Sequence, residues 1–271
     1  MVNFSLNGKV AVITGGAGIL CSEMAYEIAE AGAKVAVLDL FKDKADQVAD
    51  RINSKGGTAI GVAANVLDKN SLEGAKNEVI KAFDRVDILI NGAGGNKKEA
   101  TTSDDISFFG LPVDAMQWVF NLNFMGTVLA TQVFGELFAK QNSGCVINIS
   151  SMSAISPLTN TIAYSAAKAA VSNFTQWMAV HFNQKYSTKI RVNAIAPGFL
   201  LTDQNRYLLT DLKTGESTSR GGDIIRNTPM ARYGTPDELV GAVIWLASDA
   251  ASFVNGAIIP IDGGFSAFSG V

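Results

Sequence analysis

Short runs of β-branched residues alternate with longer stretches of helical period along most of this chain, and that alternation restricts the fold more than any other feature. KVAVI from Lys9, KVAVL from Lys34, TAIGVA from Thr58, VDILI from Val86, CVINI from Cys145 and KIRVNAI from Lys189 read as strands. Helical patterns lie between them: from about Leu20, up to about Ser54, from Ser71 to Phe83, from Pro112 to Lys140 and from Ile162 to Gln184. The strands are continuous apolar runs rather than apolar–polar alternations, as strands buried on both faces are. The expectation is an α/β fold: one Rossmann-like, doubly wound parallel sheet with helices on both faces. No Pro/Gly/Ser-rich linker or internal repeat divides the sequence, so residues 1–271 are read as a single domain. The beat breaks once, at the polar stretch from Phe199 to Thr228 that precedes the late helical pattern PDELVGAVIWLAS. A long insertion past a strand's carboxyl end predicts a substrate lid at about 199–228.

Composition narrows function by exclusion. With 48% hydrophobic residues, 17% charged and a formal net charge of −3, the chain has material for a large core and no basic run for nucleic acid or an anionic membrane. A small-molecule partner is expected instead. The two cysteines, Cys21 and Cys145, are far apart and have no second thiol or histidine at ligand spacing, so neither a disulfide framework nor a metal site is indicated. The single histidine, His181, sits in the helical pattern WMAVHF and excludes Ser-His-Asp hydrolysis and multi-histidine metal chemistry in this chain. It reads as a packed helix residue. The opening MVNFSLNGKVAVITGG has no basic and apolar leader pattern, and no apolar run reaches spanning length, so a soluble cytoplasmic protein is expected.

Directly after the first strand, TGGAGILC opens a helix, and Asp39 ends the second strand some twenty residues on, as in a dinucleotide fingerprint. Gly16, Gly18 and Cys21 fit G-x-G-x-x-G with cysteine in the third place, where a small packing residue suffices. Glycines let the backbone approach a pyrophosphate, and the helix start supplies N–H donors and positive dipole. Asp39 can accept both adenosine ribose hydroxyls and would repel a 2′-phosphate; Leu40, not an arginine, follows it. NAD is therefore expected, with NADP less suited. Farther on, Tyr164 and Lys168 are four apart in AYSAAKAAV and so share one helix face. A lysine ammonium beside the phenol would draw its pKa down from near 10, suiting it to proton transfer with a carbonyl/alcohol pair. The spacing alone is common on solvated helices; what gives it weight is the fingerprint, the strand end NISSMS thirteen residues upstream and NGAGG after the fourth strand.

The chain resembles the short-chain dehydrogenase/reductases over nearly its whole length, through TGGAGIL, NGAG from Asn91, Asn123 in NLNFMGT, Ser151, YSAAK from Tyr164, PGFLLT from Pro197 and IPIDGG. The resemblance implies that Tyr164 is the general acid/base, that Ser151 polarises the substrate oxygen, and that Lys168 tunes the tyrosine and binds the nicotinamide ribose. It further implies that Asn123 holds a water linked to Lys168 and that Asn91 steadies the central strands. Gly15, Gly18, Ile19, Leu20, Asp39, Asn65, Val66, Asn91, Ala93, Pro197, Gly198 and Thr202 would meet the cofactor. Ile19 and Cys21 depart from the glycines of the family's first turn, and Asn65 from its aspartate. Taken singly, Ser151 could be a cap, Asn123 a helix-kink residue and Thr202 an N-cap. Within the family, GAGGN, QVFGELFAK, PGFLLTDQNR and DGGFSAFSGV are similar to the D-mannonate oxidoreductases (fructuronate reductases). That similarity implies a sugar-acid substrate, D-fructuronate/D-mannonate, with Ser151, Ser153 and Asn96 expected beside it; independently, its carboxylate needs local cations, for which Lys97, Lys98 and Arg206 are placed. The helix from Ile162 to Gln184 is apolar nearly all round, and the family resemblance implies a homotetramer or homodimer. A gluconate 5-dehydrogenase-like or other polyol/ketone reductase stands as the alternative. A non-catalytic NAD-binding regulator is the alternative of another class.

Overall fold

β1 (Val10–Thr14) is buried throughout, sending Val10 and Val12 into one apolar layer and Ala11 and Ile13 into the other. That two-sided burial is why the sequence shows an unbroken apolar run there. The computed structural model describes residues 2–202, 206–211 and 214–270. After β1 follow β2 (Lys34–Asp39), β3 (Thr58–Ala63), β4 (Ile88–Asn91), β5 (Gly144–Ile149), β6 (Ile190–Pro197) and β7 (Ile258–Ile261). Every neighbouring pair is parallel, and the order is β3-β2-β1-β4-β5-β6-β7. The winding direction reverses between β1 and β4, which leaves a crevice at the strands' carboxyl ends. Thr14, Asn91 and Asn148 are in register across β1, β4 and β5, so these strands end on one line beneath it.

The helices are α1 (Ile19–Glu30), α2 (Lys42–Ser54), α3 (Lys69–Phe83), α4 (Val113–Phe120), α5 (Gly126–Gln141), α6 (Ile162–Lys185), α7 (Arg206–Leu209), α8 (Ser219–Arg226) and α9 (Val240–Ala247). Met24 and Ile28 of α1, Val48 and Ile52 of α2, and Val243 and Leu246 of α9 pack one sheet face. Leu72 and Val79 of α3, Phe134 and Phe138 of α5, and Phe182 of α6 cover the other.

Three expectations need correction. The helix expected from Pro112 to Lys140 is broken by a π-helical turn, Asn121–Met125, between α4 and α5. Asn123 Nδ2 donates to the Val119 carbonyl at 2.8 Å, taking an acceptor of the helical ladder for a side chain. The strand β7 was not read from the sequence: it has four residues, one of them Pro260, and pairs only with β6 at the sheet edge, where proline is tolerated. The stretch 199–228 is not wholly irregular, because it contains α7 and α8 with an antiparallel bridge from Thr210 to Ser217. Thr218 caps α8 by accepting from Gly221 N at 3.0 Å.

Candidate active site

The glycine turn between β1 and α1 closes against the end of β4. Gly15 has φ +61°, and a Cβ there would come within 2.7 Å of the Ala93 Cα, so conformation and space both require glycine. Gly18 starts α1 and no side chain caps the helix, which leaves first-turn amides and the helix dipole for an anionic ligand. Asp39 ends β2 with Oδ2 accepting from Ala17 N and Oδ1 from Phe41 N, both at 3.2 Å, so its carboxylate is tied to the turn. The next cation along the chain, Lys42, is held by Asp46 at 2.6 Å. Cys21 is 4% exposed, and its Sγ occupies the space that a Cβ on Gly92 would need. Burial pushes its thiol up to about 12, so at neutral pH it is a protonated packing group, as its place in the fingerprint suggests. Uncapped amides, a glycine turn without room for a side chain and a carboxylate at the end of β2 together fit a dinucleotide.

The residues expected to react, Ser151 and Tyr164, line the same cleft beyond the glycine turn. Ser151 follows β5 in extended conformation, is 7% exposed, and accepts from Ser153 N at 3.1 Å. It does cap a short turn, as its residue type allows, and its hydroxyl is near enough to Tyr164 on α6 to act on the phenol. One turn along, Lys168 is 5% exposed; its Nζ donates to the Ile149 carbonyl at 2.7 Å and lies 5.5 Å from the centre of the Tyr164 ring. Burial lowers the Lys168 pKa to about 8. Burial raises the Tyr164 phenol above its ordinary value, with the neighbouring Ser151 hydroxyl acting the other way. The expected downward pull of Lys168 does not set the direction in the protein alone, where removal from water is the largest influence. A protonated phenol beside a serine hydroxyl can donate a proton to a substrate carbonyl oxygen.

A cleft of about 460 Å³ joins the two ends. Of the residues expected to meet ligands, Gly15, Gly18, Ile19, Leu20, Asp39, Ala93, Ser151, Tyr164, Pro197, Gly198 and Thr202 line it. Asn123 is fully buried and brackets Gly95, donating to its carbonyl at 2.7 Å and accepting from its N–H at 3.2 Å. A Cβ on Gly94 would meet both Asn123 Oδ1 and Lys168 Nζ, which puts that glycine between them. Asn91, expected to meet the cofactor, is instead 2% exposed beneath the cleft, donating to Asn148 Oδ1 at 2.8 Å and Thr131 Oγ1 at 3.0 Å. Asn148 donates onward to Thr175 at 2.8 Å, so the network ties β4 and β5 to α5 and α6.

Other expected residues lie outside the cleft lining. Asn65 accepts from Leu67 N at 3.0 Å, and Val66 is buried beside Gly126. Asn96 donates to Thr101 Oγ1 at 3.0 Å, and Lys97 sits 4.1 Å from the Trp118 ring centre. Ser153 is 2% exposed and its Oγ has no partner. Arg206 is exposed at the start of α7, its N–H donating to the Thr202 carbonyl at 2.9 Å; the preceding residues 203–205 of TDQNR lie outside the described residues. Gly92, Gly94, Phe199 and Leu200 line the cleft without having been singled out. Their signal was present, since all four fall inside or beside NGAGG and PGFLLT. His181 stacks on Trp177 at 4.6 Å, the packed role read from the sequence.

Fold and site define a class, and comparison with known proteins agrees. The family model described as enoyl-(acyl carrier protein) reductase, a short-chain dehydrogenase/reductase model, matches residues 17–266. The chain belongs to the short-chain dehydrogenase/reductases and is a nicotinamide-dependent oxidoreductase of that family. It is 51% identical to the uncharacterized oxidoreductase UxuB of Bacillus subtilis (strain 168), over 98% of each chain. It is also similar to a solved structure from Haemophilus influenza, provisionally a D-mannonate oxidoreductase and holding NAD, with TM-score 0.92, 46% identity and 98% of each chain covered. A gluconate 5-dehydrogenase of Burkholderia cenocepacia J2315, in complex with NADP and tartrate, aligns with TM-score 0.86 at 29% identity, again over 98% of each chain.

Proposed function

We propose that this chain interconverts the C5 ketone of D-fructuronate and the alcohol of D-mannonate, with NAD preferred to NADP. The observation that carries the reaction type is that Ser151 and Tyr164 line one cleft beside a buried Lys168, with a glycine turn at the cleft's other end. Gly15, Gly18 and the start of α1 would hold the pyrophosphate, Asp39 the adenosine ribose, and Pro197, Gly198 and Thr202 the nicotinamide side. The bound cofactor supplies the hydride. Ser151 then fixes the substrate oxygen and Tyr164 passes it a proton, while Lys168 contributes positive charge behind the phenol. In the reverse direction Tyr164 takes the alcohol proton.

Asp39 supports the cofactor preference, since its carboxylate is already tied to the glycine turn and a 2′-phosphate beside it would meet like charge. Support for a sugar acid comes from the Haemophilus structure, provisionally a D-mannonate oxidoreductase, and from the tartrate, a hydroxylated dicarboxylate, held by the gluconate 5-dehydrogenase. The exposed Trp177 and Val180 of α6 support a homo-oligomer, and residues 199–228 the cover of the substrate side. The test is NADH and NADPH oxidation measured in parallel against D-fructuronate, 5-keto-gluconate and simple ketones. Highest kcat/KM with NADH and D-fructuronate is expected; a preference for 5-keto-gluconate would favour the gluconate 5-dehydrogenase-like alternative, and no turnover of any carbonyl would leave a cofactor-binding regulator.

A further inference from the structure

A second cavity, of about 610 Å³, adjoins the cofactor cleft and shares Phe199 with it. One wall is the stretch 156–161 that leads into α6, the helix bearing Tyr164 and Lys168; the other is α8. Arg220, Asp223, Ile224 and Asn227 face it, at the spacing of three and four that puts residues on one side of a helix. The charges on this face differ in their company. Asp223 is paired with Arg226, which neutralises it. Arg220, among the described residues, has no ion pair and no side-chain hydrogen bond. Thr161, 7% exposed, belongs to the other wall. A cation lacking a counter-ion thus lines a cavity that shares Phe199 with the cofactor cleft.

We infer that this cavity receives the end of the substrate remote from the ketone, and that Arg220 is the residue that selects its carboxylate. The inference rests on the sugar-acid reading above and adds the position of the acid group. A guanidinium matches a carboxylate with two parallel N–H donors. Arg206, the arginine expected from the sequence to do this, lines neither cavity.

Steady-state kinetics of the wild type, Arg220→Ala and Arg220→Lys decide the matter, with D-fructuronate compared with D-fructose, which has a hydroxymethyl group in place of the carboxylate. In Arg220→Ala, kcat/KM on the acid falls about ten- to a hundred-fold, mostly through KM. Turnover of the neutral ketose and NADH affinity stay as in the wild type, and Arg220→Lys recovers part of the loss. Equal losses on acid and ketose, or none on the acid, overturn the assignment. Should another keto acid replace D-fructuronate as best substrate, the same comparison on that acid judges Arg220, while the particular substrate proposed above falls. If no carboxylate-bearing sugar is turned over or inhibits, both readings are overturned together.

Discussion

The environment of Lys168 holds its charge at a cost to the fold. Its pKa is lowered from 10.5 to about 8 by burial, so the charged form is worse off folded than unfolded. The penalty is fully present below pH 8 and fades as pH rises towards the unfolded value, because in that window the unfolded chain binds the extra proton. Lys168→Met, which keeps much of the side-chain volume, is therefore expected to raise stability by about 2 kcal/mol at pH 7, after allowing for the lost bond to the Ile149 carbonyl. The gain shrinks at pH 10 and activity is lost at both. Thermal melts of both proteins at the two pH values check this; a variant less stable than wild type at pH 7 would show that the ammonium is a net stabiliser. The Tyr164–Lys168 pair was legible because a spacing of four fixes a shared helix face. The direction of the Tyr164 shift was not, since it depends on how the folded chain buries the phenol, which outweighs the lowering by Ser151.

At the scale of elements, the strand–helix beat was legible wherever a strand is buried on both faces. β7 escaped because four residues at an edge leave no such run, and the π-turn at Asn123 because its cause is one side chain competing for a backbone carbonyl. The second cavity escaped for a related reason: nothing local in the sequence brings α8 against residues 156–161. The β1–α1 turn, by contrast, was legible from its glycines, and it invites a direct trial. Gly15→Ala must hold alanine at φ +61° and force its Cβ against the Ala93 backbone. Destabilisation of about 1–3 kcal/mol is expected, together with a cofactor Kd raised by about tenfold or more as the turn shifts. Denaturant unfolding and NADH fluorescence titration measure the two effects, and unchanged values for both would mean that the turn does not touch the cofactor.

For the whole molecule, α6 serves two surfaces. Ala179 and Phe182 are buried in the core layer on the sheet, whereas Trp177 and Val180 are 57% and 56% exposed. A helix packing one sheet face needs only one apolar stripe, so the surplus supports the proposed homodimer or homotetramer. Light scattering at micromolar concentration is expected to give a multiple of the 28.6 kDa chain mass, and a monomer would remove that proposal without touching the site. None of the helices among the described residues is long and apolar enough to cross a membrane. The proposed reaction turns on one proton. Tyr164→Phe keeps the ring and its packing but removes the hydroxyl that faces Ser151 in the cleft, so its NADH oxidation in the presence of D-fructuronate, alongside NADH binding, is the most direct measurement. Wild-type NADH affinity is expected, with kcat lowered by about a hundred-fold or more. A phenylalanine variant that oxidises NADH at near the wild-type rate would contradict it.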